Sequence, residues 1–132
     1  GGGSGGGSHD GTYTGALVAD VFVPGYEGYA ETCTGDLSLV VSGGAVSAEG
    51  SCVLSGVYSW LGDQPLNLVG DVSGDEASGA FEIKLADSPV DGEWSGVFGS
   101  DNMVGEVEAA GVVDLYGYVL DLEIVGDFQV AR

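Results

Sequence analysis

Residues 33–52 read CTGDLSLVVSGGAVSAEGSC, and this stretch argues for a β-hairpin. Cys33, Gly35, Leu37, Leu39 and Val41 share one parity, and Thr34, Asp36, Ser38 and Val40 the other. After Ser42-Gly43-Gly44 the alternation resumes with Val46, Ala48, Gly50, Cys52 and Leu54. A period of two places each set on one face of a strand. Ser-Gly-Gly between two such runs is a turn signal. With Ser42-Gly43 as a two-residue loop, Val41 faces Gly44 and Cys33 faces Cys52, so inward residues meet inward residues. A shift of one would pair apolar with polar faces. Directly opposed cysteines can meet disulfide geometry. The bridge would close a loop of about 20 residues and stabilise by about 3 kcal/mol. A metal site is disfavoured, because the spacing is too wide for CxxC and no histidine lies nearby. An even cysteine count in a small β-rich chain points to an oxidising compartment.

The same alternation runs through the chain. It holds for Gly15, Leu17, Ala19 and Val21; for Leu66, Leu68, Gly70 and Val72; and for Gly79, Phe81, Ile83 and Leu85. It holds again for Trp94, Gly96 and Phe98; for Met103, Gly105, Val107 and Ala109; and for Leu120, Leu122, Ile124, Gly126, Phe128 and Val130. A short motif recurs: Ser, Thr or Val, then Gly, then any residue, then a large apolar one. Its copies begin at Thr14, Thr34, Ser55, Val69, Ser78, Ser95, Val104 and Val125. One copy per strand predicts eight strands. Each motif glycine lies on the apolar parity, where it relieves crowding and lets a strand bend sharply. Closing a sheet into a barrel needs such bends. The expected fold is therefore all-β, an antiparallel up-and-down meander barrel or roll of about eight strands with one hairpin disulfide. Residues 1–10 are expected to form a flexible tether and 11–132 a single β-barrel domain. GGGSGGGS at the start has no side chains to bury, and is either an engineered linker or a natural tether.

The chain has 132 residues, room for one core, and sets 21 acids against two bases for a net charge of −19. That balance excludes nucleic acid as a partner, since phosphate contacts need a basic footprint. It also disfavours adsorption to an anionic membrane. An outer-membrane barrel, with its apolar face to lipid, would crowd unpaired carboxylates into a narrow lumen at prohibitive cost. Catalysis has little to work with. The one histidine, His9, adjoins the tether, both cysteines are oxidised, and no phosphate-binding loop occurs. The chain is expected to be a non-enzyme without a cofactor. The sharpest metal candidate is Asp87, Asp91 and Glu93 in an expected loop, as oxygen ligands for Ca²⁺; the alternative is a solvated polar loop.

In a meander, alternate connections share an end. One end receives the short, polar connections near Ser42-Gly43, Gly74 to Ala77 and Gly99 to Asn102. The other receives Pro24 to Tyr29, Trp60 to Pro65, Ala86 to Asp91, and Tyr116 to Tyr118. Aromatic residues in exposed loops suit a binding surface. The candidate contact residues are Tyr26, Glu27, Tyr29, Trp60, Leu61, Asp63, Tyr116 and Tyr118. Alternatively, Trp60 and some of the tyrosines plug the barrel end. Tyr58 and Trp60 join Phe81, Trp94, Phe98, Met103 and Phe128 as candidates for the interior, which is expected to be filled.

Trp94-Ser95-Gly96-Val97-Phe98-Gly99, followed by Val104-Gly105-Glu106-Val107, resembles the barrel domains of bacterial surface lipoproteins, nearest in pattern to the handle-type barrel of the transferrin-binding protein B group. Cys33-Thr34-Gly35 and Cys52 resemble small Gly/Thr-rich lipoproteins of soil bacteria. The resemblance implies a Gly-rich barrel, a lipidated cysteine ahead of the Gly/Ser tether and a place outside the cytoplasm, secreted or on the bacterial outer-membrane surface. It places no site residue, and transferrin binding does not carry over. The expected function is a binding or adhesion module for a protein or surface glycan, monomeric by default. The alternatives are a lipocalin-like carrier with an apolar ligand inside the barrel, and a carboxylate-based hydrolase.

Overall fold

The structure, a computed structural model, describes residues 9–115 and 117–132, and for 26–29 and 115 the backbone alone. Eight strands follow in chain order: β1 (Gly11–Val23), β2 (Tyr26–Ser42), β3 (Ala45–Leu54), β4 (Gln64–Ser73), β5 (Glu76–Leu85), β6 (Ser88–Phe98), β7 (Asn102–Leu115) and β8 (Tyr118–Ala131). A single 3₁₀ turn, Ser59–Leu61, sits between β3 and β4. Each strand pairs antiparallel with the next, and β8 closes on β1. No helix among the described residues is long and apolar enough to cross a membrane.

The register sets the girth. From Tyr13, the paired residues run Leu39, Ala48, Leu68, Phe81, Gly92, Ala109 and Ile124, returning to β1 at Val21, eight residues on. Eight strands with a shear of eight tilt by about 36° and leave an interior that side chains can fill. They do fill it. Tyr13, Leu17, Leu39, Leu68, Phe81, Ile83, Met103, Ile124 and Phe128 are fully buried, and Trp94 and Phe98 are buried with them. Acids occupy the other parity: Asp20, Asp36, Glu49, Asp71, Asp91, Glu93, Glu106, Glu108, Asp121 and Asp127 are exposed on the outer wall. Carboxylates on a wall facing lipid would be costly.

Glycines make this narrow barrel possible. Gly70 pairs with Gly79, and Gly79 with Trp94, so the indole lies across two bare backbones and donates from Nε1 to the Val69 carbonyl at 3.0 Å. Phe128 sits opposite Gly105 in the same way. An added Cβ at Gly15, Gly35, Gly79 or Gly92 would run into a carbonyl oxygen of the neighbouring strand. Seven of the eight motif glycines lie within strands; the exception is Gly56, which follows β3 in the long loop, while β3 carries Gly50 instead.

The hairpin carries the expected disulfide in a corrected register. Ser42 pairs with Ala45 and Val41 with Val46, so the loop is Gly43-Gly44, not Ser42-Gly43. Both glycines have positive φ, +61° and +85°, as a I′ turn requires and as Ser42 would resist. Cys52 therefore faces Gly35, and Cys33 faces Leu54. The cysteines meet on the diagonal with Cα atoms 5.2 Å apart, across the space that Gly35 leaves open. A shift of two preserves parity, which is why the inward set is unchanged.

Candidate functional site

The two barrel ends differ. At one, His9, Asp10 and Arg132 meet the turns Gly43-Gly44 and Gly74-Asp75 and the loop between β6 and β7. His9 is no part of a loose tether. It is 8% exposed and stacks on Phe98 with ring centroids 4.2 Å apart. Its Nε2 lies 3.0 Å from Asp75 Oδ1; a carboxylate only accepts, so Nε2 carries the proton. Tyr13 donates its hydroxyl to the His9 carbonyl at 2.7 Å, and Gly43 N donates to Asp10. Arg132 donates to the carbonyls of Asp10 and Ser100 and to the Asp101 carboxylate, with its guanidinium 5.3 Å from the Tyr13 ring centre. This end is sealed. Burial pushes the Tyr13 phenol above its ordinary pKa; Arg132 opposes that shift, and Asp101 and Asp10 add to it.

The other end carries the predicted contact residues. Three of its four connections are short: Pro24-Gly25, Ala86-Asp87 and the link between the end of β7 at Leu115 and the start of β8 at Tyr118. The fourth, residues 55–63, holds the 3₁₀ turn. Two polar side chains build it. Glu31 accepts from Gly56 N at 2.8 Å and Tyr58 N at 3.3 Å, fixing the outgoing half. Gln64 is buried; its amide donates to the Leu61 and Gly62 carbonyls, and its Oε1 accepts from Ala86 N at 2.7 Å. Gln64 thus ties the long loop to the β5–β6 turn.

This frame holds Trp60 out. Trp60 is 62% exposed and belongs neither to the interior nor to a plug, while Tyr58 and Leu61 are half-buried against the core. Trp60, Leu61 and Asp63 come together in a cleft of about 380 Å³ with Lys84, Asp87 and Asp114. Tyr118 is 75% exposed at the start of β8, in a strand and not a loop. Tyr26, Glu27 and Tyr29 fall within β2, so the connection after β1 is shorter than expected; their side chains, and Tyr116, lie outside the described residues.

The calcium candidate does not assemble. Asp87 is in a turn, whereas Asp91 and Glu93 are on β6 and point outward. Among the described residues no group of three or more His, Cys, Asp or Glu is placed to hold a metal ion.

A second recess opens at the barrel mouth itself. It measures about 210 Å³ and is walled by Val21, Leu54, Leu85, Val113, Leu120 and Leu122, with Ala30, Val57, Tyr58 and Leu61 at its rim. The sequence reading missed this recess, and missed Glu31, Gln64 and His9 as its organisers and counterpart. Compared with protein-family models and with curated proteins, the chain matches none.

Proposed function

We propose that this protein is a non-catalytic binding module acting outside the cytoplasm, with the loop-bearing end as its contact face. One observation carries the reading: the end that bears exposed Trp60, Tyr118, Val57 and Val119 also opens an apolar recess with Val57 in its lining, while at the other end His9 is buried against Phe98. Large exposed apolar and aromatic groups gathered on a rigid frame suit partner recognition. The Cys33–Cys52 bridge is compatible with an extracytoplasmic place, and the resemblance to bacterial lipoprotein barrels supports a tethered one.

The filled interior favours a loop-face binder over a carrier. The recess that remains lies below the roughly 300–1,000 Å³ usual for a drug-sized ligand. Peptide and glycan arrays probed with the intact protein supply ligands for the test. Trp60→Ala and Tyr118→Ala should each weaken an array ligand about tenfold, and Val97→Ala on the outer wall should not. Equal binding by all three variants would sink the loop-face reading.

A further inference from the structure

We infer that the mouth recess receives one apolar side chain, best an aromatic one, from a peptide segment that flanks it with lysine or arginine; this rests on the loop-face reading and names its partner. The walls are aliphatic: Val21, Leu54, Leu85, Val113, Leu120 and Leu122. The one carboxylate in the lining, Glu31, is committed to Gly56 N and Tyr58 N. The bottom of the recess therefore offers no polar handle, and its occupant must be apolar.

Size narrows the choice. A dry engineered cavity of about 150 Å³ takes benzene. A recess of about 210 Å³ accepts one ring or one branched alkyl group, and not a long-chain lipid. So small a group seldom gives useful affinity alone, because association must offset lost translational and rotational freedom. The occupant therefore belongs to something larger that also covers exposed Val57, Trp60, Tyr118 and Val119.

Charge says what that larger body is. Asp20, Asp63, Asp87, Asp114, Asp121 and Glu123 lie towards this end, with Lys84 as its only basic side chain. The whole chain carries −19. An acidic segment would be repelled and a basic one drawn in.

Three synthetic pentapeptides test this against the intact, disulfide-bonded protein: phenylalanine between two pairs of lysines, serine between the same lysines, and phenylalanine between two pairs of glutamates. NMR of the Leu and Val methyls and of the Trp and Tyr side chains reads the contact. The lysine–phenylalanine peptide should shift the Leu54, Leu85 and Leu122 methyls and bind at least tenfold tighter than the other two. Val57→Lys puts a cation on the rim, and Val23→Phe narrows the recess from a half-buried position packed against the core. Each should weaken that peptide tenfold or more with an unchanged melting temperature. Equal binding of the serine peptide would overturn the inference, leaving charge alone. Shifts confined to Trp60 and Tyr118 would overturn the recess and leave the loop face standing. No shift at this end with any peptide would overturn the inference as well. The loop-face reading itself falls only if Trp60→Ala and Tyr118→Ala also leave the array ligands untouched.

Discussion

At Tyr13 a buried phenol donates to the His9 carbonyl, beneath the Arg132 guanidinium. Burial raises its pKa above 10.0. The unfolded chain then releases this proton at lower pH than the folded one. The stabilisation is complete below pH 10 and is lost as pH rises through the folded pKa. Denaturation between pH 8 and 11 should show stability falling above pH 10, and Tyr13→Phe should flatten that fall. Below pH 10 the same variant should cost about 1 kcal/mol, from the lost hydrogen bond. Gln64→Ala should cost about 1–3 kcal/mol, because Ala86 N loses its partner in a half-buried turn. It should also loosen Trp60, seen as faster fluorescence quenching. His9, Glu31 and Gln64 share a signature: each continues the inward parity of its strand just past the apolar run, next to Gly11, Cys33 and Leu66. Alternation exposes such residues only when followed beyond the hydrophobic positions. Trp60 carries no such mark, since it lies outside any strand, and its outward position depends on the Gln64 and Glu31 frame.

The β2–β3 hairpin shows what alternation can and cannot decide. It separates inward from outward faces, so Cys33, Leu37, Leu39, Ala48 and Cys52 were legible as core. It cannot distinguish a register from one displaced by two, because both keep the faces matched. Turn chemistry decides between them, through the two positive φ values at Gly43-Gly44. Gly35→Ala should cost about 3 kcal/mol or more, or prevent folding, since its Cβ would strike the Ser51 carbonyl. Gly43→Ala, with open space around it, should cost about 1 kcal/mol from backbone strain alone. Urea titration compares the two. Both cysteines are fully buried, so thiol reductants should act only at the rate at which the hairpin opens, and the reduced protein should lose about 3 kcal/mol. The β5–β6 turn places Ala86 and Asp87 at φ of +50° and +67°, a geometry that other turns here give to glycine. That strain lies beside the Trp60 cleft, the end proposed to bind.

Across the whole barrel, like charges face each other on three successive strand pairs: Glu82 with Asp91, Glu93 with Glu108, and Glu106 with Asp127. Opposed like charges destabilise a sheet, and salt screens them. The melting temperature should therefore rise with added NaCl. Glu108→Lys should raise it by about 2–4 °C at low salt and less at high salt, by scanning calorimetry. Strand number was legible from eight alternating runs; closure, expected as a barrel or roll, is fixed by the pairing of β1 with β8. Interior volume was not legible, because it depends on shear, and shear is the sum of eight registers that parity leaves open in steps of two. The sealed end has a mechanical consequence. Both Gly11 and Ala131 lie there, some 30 Å from the mouth for strands of this length and tilt. A load held at the N-terminus and applied at the mouth pulls β1 lengthwise against β2 and β8 together. Their hydrogen bonds then share the force in shear. A load drawn between the two termini instead peels β1 from β8 one bond at a time, so the same barrel should resist the first pull far better than the second.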